Sequence, residues 1–213
     1  MLIRRETPAD VDAIRAVHAA AFATTTGDGA EVETTPVGAP PTQATPLGAT
    51  PLGATPVEAT PVEATPVEAT PVEATLVDAL RADEGWLPAY SLVATDSDGQ
   101  VVGHVVATRG RVGGAPVALG LGPLGVRPGW QRRGVGTALM HAVLGAADAR
   151  DEPLVVLLGH PEYYPRFGFR PAVELGVTPP QPWGPRYFMA RPLSAWRESI
   201  RGEFRYARPF DDL

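Results

Sequence analysis

The sequence predicts a single α/β domain, a mixed and mostly antiparallel sheet flanked by helices and interrupted near its start by an inserted repeat. Three observations carry this reading. Apolar spacing switches several times between a period of two and a period near 3.6. The unbroken apolar run Leu154–Leu158 has the character of a buried parallel strand. A pentapeptide repeat fills residues 35–74, where neither period holds.

The elements follow in chain order. Leu2 to Arg5 reads as a short strand. Thr7, Pro8 and Asp10 form a helix start, with Thr7 as N-cap, proline at the first helical position and a Thr-x-x-Asp box. Val11, Ile14, Val17, His18, Ala21 and Phe22 then recur at helical spacing. Beyond the repeat, Leu76, Val77, Leu80 and Arg81 predict a second helix ending near Asp83. Tyr90–Thr95 and Gln100–Arg109 read as strands joined by the turn Asp96-Ser97-Asp98-Gly99, and Gly113-Gly114 turns the chain into a third strand, Val117–Val126. A helix over Gly134–Arg150 presents Val135, Leu139, Ala142, Val143 and Ala146 on one face. After Leu154–Leu158 come a further helix, a strand over Tyr187–Ala190 and one more strand.

Composition separates the insertion from the domain. Thr-Pro-Val-Glu-Ala occurs four times between Thr55 and Ala74, preceded by looser copies from Thr35. A proline every five residues removes an amide donor and disfavours helix at the residue before it. With no aromatic residue between Phe22 and Trp86, such a segment cannot bury enough surface to offset its ordering entropy. Residues 24–74 are therefore expected to be a disordered insertion, with residues 1–23 and 75–213 as the domain. The net charge is −6, but the stretch from Phe22 to Thr75 holds seven acidic residues and no basic one. The domain itself is near neutral, which gives no reason to expect nucleic acid as a partner.

The chain has no cysteine, and all 18 basic residues are arginine. A cysteine nucleophile, lysine Schiff-base chemistry and the Gly-Lys-Ser/Thr phosphate loop are excluded. The four histidines are scattered, so no metal centre is expected. Arg4, Arg5 and Glu6 stand where a signal peptide would need an apolar core, and no 18-residue apolar run occurs. The expectation is a cytoplasmic chain, away from membranes, acting as monomer or homodimer.

The informative stretch is Leu119–Arg170. Gln131-Arg132-Arg133-Gly134-Val135-Gly136 joins a strand to a helix. Its glycines allow close backbone approach, its amides point outward at the positive end of the helix dipole, and its arginines add charge. This suits a pyrophosphate; a glycine-rich turn with surface arginines is the plainer alternative. The preceding strand is broken by Gly122, Pro123 and Gly125. Pro123 cannot donate to the ladder, so a β-bulge here would splay this strand from Leu154–Leu158. The freed backbone groups would suit an extended amide ligand, and a pantetheine arm ending in a pyrophosphate is one. Coenzyme A fits better than a dinucleotide, since the acidic residue of a Rossmann site is not evident.

Gln131-x-x-Gly134-x-Gly136 resembles the acyl-CoA signature of the GNAT N-acetyltransferases. Tyr163-Tyr-Pro-Arg-Phe-Gly-Phe169 is similar to that superfamily's tyrosine followed by a Gly-Phe pair. With Leu121–Val126 and the tail Tyr206–Phe210, the pattern is similar to the YhbS-like bacterial branch, over residues 1–22 and about 75–213. The resemblance implies a GNAT-like sheet splayed at a bulge, acetyl-CoA as acyl donor, and direct attack of a primary amine on the thioester. It implies backbone contacts to pantetheine from Leu124, Gly125 and Val126. The pyrophosphate would be held by Gln131, Arg132, Arg133, Gly134, Val135 and Gly136, with Thr137 as hydroxyl donor. Tyr164 would protonate the departing thiolate with a pKa near that of a thiol. A general base is harder to find, because Leu119–Val126 holds no ionisable residue. His160 is the base candidate, or else a cap for the turn that follows it. His104 reads as a structural residue, and His18 as a packing or surface residue. The acceptor cleft would be bordered by the link between the first two helices and by the stiff loop Thr178–Pro185, where Trp183 either floors the acceptor or packs the loop. A non-catalytic acyl-CoA sensor, or an interaction protein using the acidic repeat, are the alternatives.

Overall fold

The computed structural model describes residues 1–23 and 72–212. The expected disordered segment therefore lies outside the described residues, except for its last three positions. Those three are helical. Helix α2 runs Val72–Ala82, behind α1 at Val11–Phe22. Proline restrains the residue before it, and none follows Pro71 until Pro88. Ala74 falls on the same face as Val77 and Leu80, and all three are buried. Glu73 lies in the first turn, where a carboxylate suits the dipole. The last three residues of the repeat, Val72 to Ala74, are thus the first three of α2.

The strands are β1 Leu2–Arg5, β2 Ser91–Thr95, β3 Val101–Val112, β4 Ala115–Val126, β5 Leu154–Leu158, β6 Arg170–Pro171, β7 Val177–Thr178, β8 Phe188–Pro192 and β9 Gly202–Arg205. The sheet order is β1-β2-β3-β4-β5-β8-β6, with β9 on the far end of β3 and beside β7. Pairing is antiparallel except at β4–β5 and β7–β9. The expected mixed sheet is present. The helix expected after β5 is only a 3₁₀ turn, Tyr164–Phe167. Pro165 opens it and Gly168, at φ +83°, closes it.

Helix α3, Val135–Asp148, covers one face of the sheet. Leu139, Met140, Val143 and Ala147 pack there with Leu92, Val105 and Leu121. On the opposite face Ile14 and Val17 of α1 and Val77 of α2 meet Val93 and Val101. Asp10 ties down the entry to α1. Its carboxylate accepts from Arg4 at 2.7 and 2.8 Å and from the amide of Thr7 at 2.7 Å.

Candidate functional site

The site begins with a break in the sheet. Strands β4 and β5 pair only at Leu119–Val155 and Gly120–Val156. Beyond Gly120 the two strands part. On the other edge of β4, Val105 pairs with Leu124 while Ala107 pairs with Leu121, so β4 carries one extra residue around Gly122-Pro123. This is the bulge expected from Pro123, and it turns the end of β4 away from β5.

Along this opening β4 runs through Leu124, Gly125 and Val126 toward the loop before α3. Gln131 stands at its foot, donating from Nε2 to the carbonyl of Val126 at 3.0 Å. Arg133 stacks over Trp130 at 4.6 Å and donates to the Gly129 carbonyl. Arg132 is exposed and holds φ +56°, a left-handed conformation rare for a side-chain-bearing residue. Gly134 is the N-cap of α3 at φ +85°, which only glycine adopts without penalty, and no side chain caps this end. The first intrahelical bond there is Ala138 to Gly134 at 2.9 Å, so the amides before it point out of the helix. Val135 is buried against the core, and Gly136 and Thr137 are half-buried.

The two tyrosines behave differently. Tyr163 reaches α3: its hydroxyl would lie 2.9 Å from a β-carbon placed on Gly136, beside Thr137. Burial pushes this phenol above its ordinary value, opposed by Thr137 and Arg166. Tyr164 is fully buried behind the end of β5. Its ring lies so close over Gly159 that a β-carbon there would overlap it. Burial, and then Tyr163, drive the Tyr164 phenol above its ordinary value. A pKa near that of a thiol, as the sequence suggested, is therefore not what the fold provides: the phenol stays protonated. His160 offers its backbone to the same turn, its carbonyl accepting the amides of Tyr163 and Tyr164 at 3.1 and 3.3 Å.

Beside the splay lies a cavity of about 730 Å³ bordered by Asp83, Glu84, Arg109, Trp183 and Tyr206, with Leu158 at the end of β5. The loop Thr178–Pro185 contributes Pro180, Gln181 and Trp183 to it. Trp183 both faces this cavity and packs on Phe188 at 5.8 Å between ring centroids. The link between α1 and α2, the other expected border, lies outside the described residues.

Sequence reasoning missed one cluster. His18 and His104, read as unrelated residues, are hydrogen-bonded at 2.8 Å and both fully buried. His104 continues to Ser91 at 2.8 Å, and Ser91 donates to Glu6 at 2.5 Å. Arg81 binds the same carboxylate at 2.8 Å. Burial pushes Glu6 up, but hydrogen bonds from His104, Arg81 and Ser91 outweigh it and hold the carboxyl at about 2. His104↔Gly125 pairing across β3–β4 could not be read from local spacing, since it depends on the register that the bulge sets.

A sheet splayed at a bulge, opening onto an uncapped glycine-rich helix start, is the frame of an acyl-CoA-dependent transferase. Residues 88–171 match the family model of the acetyltransferase (GNAT) domain. The uncharacterized N-acetyltransferase YjhQ of Escherichia coli K12 is 36% identical over 137 residues, 61% of this chain and 75% of that protein. YhbS of the same strain, also an uncharacterized N-acetyltransferase, is 35% identical over 93 residues, 43% of this chain and 55% of that protein. The chain belongs to the GNAT family of N-acetyltransferases. Among solved structures, YhbS from Escherichia coli in complex with CoA superimposes with a TM-score of 0.71 at 24% identity, covering 99% of this chain and 91% of that one. A GNAT acetyltransferase from Brucella melitensis in complex with acetyl-CoA gives 0.65 at 27% identity, covering 99% and 97%.

Proposed function

We propose that this chain binds acetyl-CoA in the β4–β5 splay and transfers the acetyl group to a primary amine by direct attack on the thioester. The loss of β4–β5 pairing beyond Gly120, opening toward the uncapped start of α3, is the observation that carries this reading. The Brucella melitensis relative, solved with acetyl-CoA, supports the choice of donor.

In this reading the backbone of Leu124, Gly125 and Val126 pairs with the pantetheine arm. Gln131 fixes the strand end, and the amides from Arg132 to Thr137 meet the pyrophosphate with Arg132 and Arg133 supplying charge. Tyr163 lines this anion site through Gly136 and Thr137. Tyr164, protonated because it is buried, donates a hydrogen bond to the sulfur as the C–S bond breaks and stabilises the departing thiolate, which takes up the proton that the amine releases. The acceptor enters from the cavity bordered by Trp183 and Tyr206.

Gly134→Asp tests the donor site. It puts a strained β-carbon and a negative charge at the helix start, where a pyrophosphate would sit. Calorimetric titration with acetyl-CoA should show binding to the unaltered chain and none to the variant. Equal affinity in both would refute the assignment of this loop. An amine panel of polyamines, amino acids, aminoglycosides and peptide N-termini, read by thiol release, identifies the acceptor class.

A further inference from the structure

We propose that Tyr206 sizes the acyl pocket: its ring closes the inner end of the β4–β5 splay, admitting an acetyl group and shutting out longer acyl chains; this rests on the acetyltransferase reading above.

The direction of the splay decides which part of the donor meets which part of the chain. Strands β4 and β5 run parallel, pair at Leu119–Val155 and Gly120–Val156, and part beyond. The gap is therefore narrowest beside Gly120 and widens toward Val126, where the chain enters the loop before α3. With the pyrophosphate at the start of α3, the pantetheine arm runs inward along β4 and carries its thioester toward Gly120. The six residues from Gly120 to Val126 span about 20 Å, comparable with an extended pantetheine arm. The acyl group, at the tip of that arm, comes to rest against whatever closes the narrow end.

Tyr206, in the tail just after β9, closes it. Gly120 has no side chain, and a β-carbon there would lie 2.6 Å from Cδ1 and 3.0 Å from Cε1 of Tyr206. Side chains of β4 alternate between the two faces of the sheet. Leu119 and Leu121 join the core under α3, whereas Ala118 and the ring on Gly120 belong to the other face. From Gly120 the ring reaches across to β5. The amide of Gly159 donates to the Tyr187 carbonyl at 2.9 Å, on the β8 side, so the preceding amide, that of Leu158, faces the splay. Burial, then Tyr164, hold the Tyr206 phenol above its ordinary value, and the Leu158 backbone, close to the hydroxyl without full hydrogen-bond geometry, opposes them. One side chain thus lies on the last paired residue of β4 and beside the last residue of β5.

The wall is stiff and closed. Phe204 packs edge-on against the ring at 4.6 Å between centroids, Phe210 lies at 4.8 Å and Trp183 at 6.2 Å. The hydroxyl is shut off from solvent. On its far side Tyr206 borders the cavity of about 730 Å³, together with Trp183 and Leu158. The ring therefore covers the narrow end of the splay from the cavity side, and the acceptor's approach is at Leu158, the end of β5. Taking the ring away joins the narrow end to the cavity and leaves room for additional methylenes.

The test titrates the full chain with acetyl-, propionyl- and butyryl-CoA by calorimetry, a readout that needs no acceptor. The unaltered chain should bind butyryl-CoA at least about tenfold more weakly than acetyl-CoA, since a closed apolar pocket rejects one surplus methylene by about 10–200-fold. In Tyr206→Ala that preference should disappear or invert. Tyr206→Phe, which keeps the ring and loses only the hydroxyl, should retain it. Tyr206→Leu, nearer the native volume, replaces the alanine variant if circular dichroism shows that variant unfolded, and should weaken the preference in the same direction. The ratio of affinities within one folded variant does not move with a general loss of stability. Equal affinity of the unaltered chain for acetyl- and butyryl-CoA, or a folded alanine or leucine variant with the unaltered ratio, overturns the proposal. If the unaltered chain binds none of the three, the acetyltransferase reading fails as well; binding without discrimination sinks the role of Tyr206 alone.

Discussion

Gly125→Ala isolates the contact on which the buried histidine pair depends. The added methyl carbon would stand 2.8 Å from His18 Nδ1 and 3.4 Å from Val17 Cγ1. Ordinary contact begins near the second distance, so the imidazole must retreat by roughly half an ångström in a core that has no slack. Overpacking of this kind costs about 1–3 kcal/mol. Retreat also strains the 2.8 Å bond to His104, worth about 1 kcal/mol between neutral buried groups. The expected destabilisation is therefore about 2–4 kcal/mol, a melting-temperature loss on the order of 5–15 °C for a domain of this size. Urea denaturation followed by far-ultraviolet circular dichroism measures it. The same substitution made in a His18→Ala chain meets an empty space and should cost far less, a coupling of about 1–3 kcal/mol in the double-mutant cycle. Additive effects in that cycle would refute the packing argument, and with it the role of Gly125 as the seat of the histidine.

Stability should fall on mild acidification. His18 and His104 are both held below 6.5, His18 mainly by burial and then by His104 and Arg81, His104 by burial against the opposing pull of Glu6. Groups depressed in the folded state leave stability intact above the unfolded value of 6.5 and withdraw it as pH drops below, by up to about 1.4 kcal/mol per pH unit for each histidine. Glu6, at about 2 against 4.5, adds a second loss between those values. Scanning calorimetry from neutral to about pH 5 checks the first window; an unchanged melting temperature there contradicts the buried neutral pair. Tyr164→Phe should keep acetyl-CoA affinity and lower kcat about 100-fold, and an unchanged kcat removes Tyr164 from the chemistry. Arg109→Ala strips the partner from Glu152, which Arg109 grips at 2.6 Å through both nitrogens and Tyr90 contacts at 2.9 Å. Leaving that buried carboxylate half-satisfied should cost about 3–5 kcal/mol, with Glu152→Gln milder; equal effects in urea melts would deny the ion pair its role.

What could be read in advance was whatever short-range chemistry determines. Pro123 cannot pair, so the bulge was legible; Gly134 and Gly136 cannot obstruct a helix start, so the start of α3 was too. The apolar run at Leu154–Leu158 revealed a central strand because it is buried on both faces. The start of α2 at Val72 was not legible because the repeat's composition masked that Ala74 shares a face with Val77 and Leu80. The histidine cluster was not legible at all. His18 and His104 are separated by 86 residues and Ser91 and Glu6 by 85, and only the assembled sheet brings them together. Each histidine taken alone fits a packing residue, and the hydrogen bond between them shows only in the assembled fold.

Glycine ties these features together. Of the chain's 23 glycines, several in the sheet and around the site serve neither turns nor flexibility. Phe204 lies on Gly110, Tyr206 on Gly120, His18 on Gly125, Tyr163 on Gly136 and Tyr164 on Gly159, each at a distance no β-carbon would permit. Five rings are thereby held directly against backbone, three of them on residues that line the splay or the helix start it opens onto. A ring seated on a strand has little freedom to turn, because the sheet beneath it is fixed by its hydrogen bonds. Two adjacent tyrosines are in this way sent to different places, Tyr163 to the helix start over Gly136 and Tyr164 to the end of β5 over Gly159. The same device lets an imidazole from α1 stand where β4 has no side chain to offer. Replacing these glycines by alanine would therefore disturb the site's side chains before it disturbed the strands, a consequence that ties the composition of the chain to the geometry of its chemistry.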